Sequence, residues 1–380
     1  MKVIGIIAEY NPFHNGHLHQ ILQVKQNNPE AMLVVAMSGN LLQRGEPAIF
    51  DKWVRTEVAL KNGVDVVLEI PVEGSLQSAD KFAEAGIRTL MDFGVDELYF
   101  GAEHSEYDFL DYAQKIRNLD TSKFKEYDSS FAKQIQNAVS EKIGHDLTNP
   151  NDLLGLSYAK AVLKFKAKIK LVPIQRINAE YHDAFLPDKG EIASATAIRH
   201  ALFQSDEPIA KYVPQNVTYD NLQKVSWEDL WPYLRYKLIT TDLNELKKIS
   251  GVVEGIENRL VKYANELPKE TTFETWLQKV KSKRFTYTRL TRIASSILID
   301  LKKTEVQAYE KVPFYRLLGF TSKGRKVLNT AKKQLNYTMY TKISQDDKDG
   351  KYAVNYRTGK VYSLVTGVQQ DLKRAPLMIK

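Results

Sequence analysis

Residues 3–22 read VIGIIAEYNPFHNGHLHQIL, and the pattern changes inside this stretch from that of a strand to that of a helix. Val3 to Ala8 is continuously apolar instead of alternating, the pattern of a parallel strand covered on both faces. Glu9-Tyr10-Asn11-Pro12 breaks the run. From Gly16 onward Leu18, Ile21 and Leu22 fall at helical spacing, and Asn11 or Asn15 can serve as a turn or cap residue. His14 and His17 therefore flank the start of a helix, three residues apart and on one side.

Short apolar runs recur at 31–37 (AMLVVAM), 64–70 (VDVVLEI), 95–100 (VDELYF) and 169–174 (IKLVPI), each suited to a buried strand. Helical patterns separate them. The pattern from Asp51 to Asn62 has an Asp cap and Gly63 just past its end, and the pattern from Leu76 to Phe93 is followed by Gly94. This order predicts an α/β fold, a doubly wound parallel sheet over residues 1–205, with ligands at the carboxyl ends of the strands. From about Asp206 the texture changes, and residues 227–235, 243–249, 253–263, 273–280 and 287–301 read as amphipathic helices. A mainly helical second domain over 206–380 follows. Its end, 337–365, alternates like strands, with turns at 346–350 and 358–359.

Composition removes several classes of chemistry. The chain has no cysteine, which excludes disulfides, thiolate catalysis and cysteine-ligated metal centres. No apolar run reaches membrane-spanning length, and Val3 to Ala8 is too short for a signal segment, so a cytoplasmic protein with no membrane contact is expected. Walker A and GxGxxG patterns are both missing from the sequence.

Two imidazoles at the positive end of a helix suit a negative charge that grows during reaction. Free backbone N–H groups and the helix dipole already favour an anion there, and imidazole N–H donors can follow charge onto a leaving pyrophosphate. Gly16 lets the backbone approach phosphates. A second anion site is expected where Ser194 caps a helix, with Thr196 in its first turn and Arg199 one turn on. Gly101, at the end of the 95–100 run, and Arg176, after the 169–174 run, are further candidates beside a nucleotide. The loop 38–50 carries Arg44 and is a candidate lid or RNA-facing loop, and Asp80 could orient substrate or cap a helix.

His14-Asn15-Gly16-His17 resembles the HxGH signature of the nucleotidyltransferase superfamily, whose members attack the α-phosphate of ATP. Together with AEYNPFHNGH, MSGNLLQRGEPAIF, ENRL and KSKRFTYTRL, the chain resembles the tRNA(Met) cytidine acetate ligase family. That resemblance implies a nucleotidyltransferase-like Rossmann fold and catalysis by His14 and His17. It implies ATP contacts along Ile7, Ala8, Glu9, Tyr10 and Asn11, and at His14, Gly16, His17, Gln20, Gly101, Asp152, Arg176, Ser194, Thr196 and Arg199. It also implies two substrates beside tRNA, acetate and ATP, the latter accompanied by Mg²⁺, with no protein-held metal and no tightly bound cofactor. The product implied is elongator tRNA(Met) acetylated on the exocyclic amine of its wobble cytidine. Two positions depart from the family. Ala195 stands where the ISSTxxR motif has a serine, and Asp152 stands where PNNILG has an amide, so Asp152 is expected near the base or ribose if it contacts ATP.

Charge gives the second functional signal. Residues 1–200 carry 22 basic and 27 acidic side chains, whereas residues 201–380 carry 32 and 19, so the halves present different surfaces. Within 281–340, 14 basic residues face 3 acidic ones, with Phe285, Tyr287, Tyr315 and Phe320 interleaved, a mixture that can hold phosphates and stack unpaired bases. The expected tRNA contacts are Arg44, Lys281, Lys283, Arg284, Tyr287, Arg289, Arg292, Lys323 and Arg325. A solvated helical face with core aromatics is the alternative reading of that run. Two other activities fit parts of the sequence: an adenylyltransferase joining AMP to a phosphorylated cofactor precursor, and a tRNA-binding protein without catalysis. The low-charge stretch 361–369 is a candidate subunit contact for a homodimer.

Overall fold

The computed structural model describes residues 1–117, 131–177, 185–187, 190–204, 208–253 and 255–380, so the boundary expected at 205/206 lies outside the described residues. Five strands follow the sequence reading closely: β1 (Val3–Ala8), β2 (Met32–Ser38), β3 (Val66–Ile70), β4 (Glu97–Ala102) and β5 (Lys170–Gln175). All five are parallel, in the order β5-β4-β1-β2-β3. β1 and β3 are buried along almost their whole length, which is why their sequences are continuous apolar runs.

Helices cover both faces. Asn15–Asn27 and Lys52–Lys61 pack on one side with Ile4, Ile6, Leu33, Val35 and Val67. Ala79–Asp92 and Pro150–Phe165 pack on the other with Ile7, Val34, Leu68 and Phe100. Asp51 caps Lys52–Lys61 by accepting from Trp53 N and Val54 N, and Gly63 follows its end at φ +102°. Trp227–Thr240, Leu243–Lys247, Ile256–Glu266, Phe273–Val280 and Tyr287–Leu298 form the expected helical unit around Trp231, Trp276 and Leu290.

The C-terminal part differs from expectation in two ways. First, the sheet does not end with the first half: β6 (Tyr315–Thr321) pairs antiparallel with β3, and β7 (Met339–Tyr340) and β8 (Leu377–Ile379) pair with β6. One eight-stranded sheet thus draws on both halves, and the division at 205/206 is not a division of the sheet. Second, most of 337–365 is not strand, since Ala353–Thr366 is a helix. Its Val354, Thr358 and Tyr362 are buried at helical spacing, so the apparent alternation came from short-range coincidence between periods. In the 361–369 stretch, Leu364 and Val368 are exposed and Tyr362 is core.

Two of the aromatics read as base-stacking candidates are core residues of β6. Tyr315 is fully buried with its hydroxyl on Asp92, and Phe320 packs against the main core. Phe285 is also buried, and of the four only Tyr287 is exposed.

Candidate active site

A cleft of about 750 Å³ opens at the carboxyl ends of β1, β4 and β5. His14, not an asparagine, is the N-cap of Asn15–Asn27. Its Nδ1 accepts from Gly16 N (3.0 Å), while His17 Nδ1 accepts from His14 N (3.3 Å). The histidines therefore cap the helix reciprocally, the arrangement usually made by a hydroxyl residue and a carboxylate. Their rings stack at 3.8 Å. Gly16 has a local reason to lack a side chain: a Cβ there would lie 2.9 Å from His14 Cε1, so glycine makes room for the ring.

With both Nδ1 atoms accepting backbone protons, each ring carries its own proton on Nε2. Neither ring is charged at neutral pH. Burial pushes the His14 pKa down to about 3, aided by Arg176 and Arg199, and pushes His17 well below its ordinary value, aided by His14 and Arg176. A neutral Nε2–H donor can stabilise growing charge without first binding a proton from solution. The folded protein accordingly binds fewer protons than the unfolded chain at these rings below about pH 6.5, so their contribution favours folding above that pH and weakens as pH falls towards 3. Long-range ¹H–¹⁵N NMR spectra of labelled histidines are expected to show two Nε2–H tautomers that do not titrate between pH 8 and about pH 5; an ordinary titration midpoint near 6.5 would contradict this assignment.

The second motif is capped within itself and meets the first through Arg199 and Asn15. Ser194 Oγ accepts from Ala197 N and so caps Ala195–Gln204. Arg199 donates to Asn11 O (2.8 Å) and to Thr196 Oγ1 (3.3 Å), and lies 3.7 Å from Glu46. Asn15 Nδ2 donates to Glu191 O and Lys211 O. Ser194, Ala195, Thr196 and Arg199 thus share the cleft with Ile7, Ala8, Glu9, Tyr10, Asn11, His14, Gly16, His17, Gln20, Gly101 and Arg176.

Asp152 does not line the cleft. Its buried carboxylate accepts from Glu103 N (2.9 Å) and His104 N (3.1 Å) and meets His104 Nδ1 at 2.6 Å, a bond that raises the His104 pKa. The carboxylate fastens the loop after β4 to the helix Pro150–Phe165, and its chain neighbours Asn151 and Leu153 line the cleft. Asp80 is likewise occupied, by Ser157 Oγ and Lys160 Nζ.

The expected tRNA-facing residues divide into two groups. Lys281, Lys283, Arg284, Tyr287, Arg289 and Arg292 lie together at and before the helix Tyr287–Leu298, where Lys281 Nζ sits 5.5 Å from the Tyr287 ring. Arg44 joins them from the cleft side, since its neighbour Gly45 accepts from Trp227 Nε1 (3.0 Å) and Ser295 Oγ (2.6 Å) through its carbonyl. The loop 38–50 is therefore clamped between cleft and helical unit. Burial, with Arg289 and Arg44 nearby, lowers the Arg292 pKa to about 10. Lys323 and Arg325 stand apart. They follow β6, which runs antiparallel to β3, and Gly324 abuts Asp65 at the amino end of β3, so they sit at the edge of the sheet opposite the cleft.

Gly45 holds φ +86°, and a Cβ would lie 2.4 Å from Arg292 N. Gly45→Ala is expected to cost about 1–3 kcal/mol in urea unfolding, because the loop must leave its seat. Unchanged stability would show that the clamp is dispensable.

Sequence reasoning missed Arg55. Fully buried, it donates to Glu9 O (2.6 Å), Ser38 O (3.0 Å), Phe50 O (3.0 Å) and Gly39 O, holding the chain where β1 and β2 end. The only signal was a cation on the apolar face of a helix.

The comparisons with known proteins agree with this geometry. The model of the HIGH Nucleotidyl Transferase family matches residues 1–375. The tRNA(Met) cytidine acetate ligase of Ligilactobacillus salivarius is 55% identical over 379 residues, covering all of both chains. That of Lactiplantibacillus plantarum is 40% identical over 381 residues, covering 99% of this chain and 98% of the relative. Crystal structures of Thermotoga maritima TmcAL superpose over the full length of both chains, the apo form at TM-score 0.88 with 28% identity and the form bound with alpha-thio ATP at 0.86 with 27%. No described helix is long and apolar enough to cross a membrane. A paired-histidine nucleotidyl transferase site and full-length similarity to the named ligases coincide in one chain, which belongs to the tRNA(Met) cytidine acetate ligase family.

Proposed function

We propose that this protein activates acetate with ATP as acetyl-adenylate, releasing pyrophosphate, and then acetylates the exocyclic amine of the wobble cytidine of elongator tRNA(Met). The observation that carries the reading is the pair of stacked, neutral histidines at a helix start, opposite Thr196 and Arg199 in one cleft. Acetate oxygen attacks the α-phosphate. Charge then grows on the bridging oxygen of departing pyrophosphate, where Nε2–H donors, Arg199 and the helix start at Ser194 supply stabilisation. Magnesium arrives with ATP as part of the substrate, held by phosphate oxygens. The basic group beside the cleft supports the second step, because Lys281, Lys283, Arg284 and Arg292 can hold a tRNA backbone while Tyr287 remains open to an unpaired base.

The test incubates the protein with ATP, Mg²⁺, labelled acetate and tRNA, omitting each in turn, and measures label retained in tRNA. Label that requires both ATP and tRNA(Met) is expected. AMP transferred to another acceptor, with unlabelled tRNA, would overturn the substrate assignment. A homodimer would use Leu364 and Val368, the exposed apolar side chains of 361–369, and sedimentation of a Leu364→Glu variant tests it.

A further inference from the structure

The cleft has two chemically distinct walls. The histidine motif, Thr196, Arg176 and Arg199 make one of them polar and cationic. The other is apolar and comes from the helices Ala79–Asp92 and Pro150–Phe165 and from β4, with Phe82, Phe100, Leu153, Leu154 and Tyr158. The phosphates of ATP belong against the first wall, which leaves the second for flat or apolar groups.

Glu9 stands between the two, immediately after β1. One carboxylate oxygen accepts from Gln43 N at 2.7 Å and from Ser38 Oγ at 3.5 Å; the other takes no hydrogen bond among the described residues. Tyr158 is buried, packs edge-on to Phe100 at 5.5 Å, and its hydroxyl also makes no bond among the described residues. Glu9 and Tyr158 both line the cleft, and burial, with the Glu9 charge adding to it, raises the pKa of the phenol. An acceptor and a donor in one cleft with aromatic and aliphatic side chains can recognise the edge of a flat heterocycle.

We infer that this apolar half of the cleft receives the acceptor cytosine, unstacked from its tRNA loop, with Glu9 accepting a proton from the exocyclic amine and Tyr158 donating to the ring edge. This rests on the acetyl-transfer reading above. Cytosine presents an amine donor beside acceptors on its pairing edge, which matches carboxylate then hydroxyl; uracil presents a carbonyl where the amine would be, and sets it against the carboxylate. In the transfer step the amine nitrogen bonds to the acetyl carbon, and the bond from that carbon to the phosphate oxygen breaks. AMP leaves with the electron pair, and the amine proton passes to Glu9. Burial, opposed by the Gln43 N–H and reinforced by Glu46, raises the Glu9 pKa, which makes the carboxylate a better proton acceptor than one in water.

The test separates the two partial reactions in the full-length protein. Acetate-dependent ATP–pyrophosphate exchange reads activation, and labelled acetyl transfer to tRNA(Met) reads the second step. Glu9→Gln is expected to lower transfer about 10²-fold more than exchange, the size of a lost general base. Leu154→Trp, which fills the apolar half, is expected to depress transfer relative to exchange as well, with tRNA still bound in a filter assay. Glu9→Gln losing exchange and transfer in equal measure would overturn the inference and make Glu9 a nucleotide contact; so would a variant that loses neither. Wild-type protein that exchanges pyrophosphate with acetate but never labels tRNA would instead overturn the tRNA reading itself.

Discussion

His17→Ala is expected to lower acetate-dependent ATP–pyrophosphate exchange by about 10²–10³-fold, the usual cost of removing one preorganised donor to a growing oxyanion. Binding of tRNA should be unaffected, because the contacts proposed for it, Lys281, Lys283, Arg284 and Arg292, lie at and before Tyr287–Leu298. The ring acts neutrally, so the loss should be similar at pH 6 and pH 8, and added salt should not rescue it. His14 needs a different substitution, since it is the N-cap residue itself, whereas His17 only accepts from the His14 N–H in return. Removing a cap costs about 1 kcal/mol in itself, so His14→Asn, which retains a capping side chain, isolates the donor. His14→Asn should reproduce the rate loss with little change in unfolding midpoint. If either variant kept exchange within about tenfold of wild type, charge stabilisation would have to come from Arg199 and backbone N–H groups, and the paired rings would be caps only.

The legibility of this site followed from local physics. A buried parallel strand must be apolar throughout, and a helix start must present free N–H groups, so β1, the turn and the first helix were written in consecutive residues. The same holds for Ser194, Thr196 and Arg199. What remained hidden depended on contacts between distant segments. Nothing near Asp152 in sequence shows that His104 will take its carboxylate, and nothing near Tyr315 shows that its ring fills the core behind β3. The strand β6 was obscured by Arg316, a charged residue in the middle of an apolar run that is nonetheless fully buried, its guanidinium over the rings of Trp53 and Tyr352. A charge in a strand reads as solvent exposure unless its burial partners are known. Lys323 and Arg325 looked continuous with the basic cluster for the same reason: the antiparallel turn of β6 carries them to the far edge.

The largest effect on stability is expected at Lys52, where the two halves of the chain are joined. Its ammonium, buried at the start of Lys52–Lys61, contacts Glu69 Oε2 on β3 at 2.8 Å and Asp371 Oδ1 at 2.6 Å, and Tyr352 OH donates to the same Asp371 oxygen at 2.9 Å. Glu69 and Asp371 are both buried. Lys52→Met would keep the aliphatic volume and leave two carboxylates facing each other without their cation, at a cost of about 3–5 kcal/mol. That is a large part of the roughly 5–15 kcal/mol by which such proteins are stable. The urea midpoint should therefore fall sharply. The triple variant Lys52→Met, Glu69→Gln, Asp371→Asn should recover much of the loss, because the three positions then leave no charge of their own buried without its partner. A fall of less than about 1 kcal/mol for Lys52→Met would mean that solvent reaches the site and the network is not closed. The consequence reaches the chemistry through the same helix. One turn past Lys52, Arg55 holds the carbonyls of Glu9 and Ser38 where β1 and β2 end, so loosening the C-terminal segment should also blur the floor of the cleft.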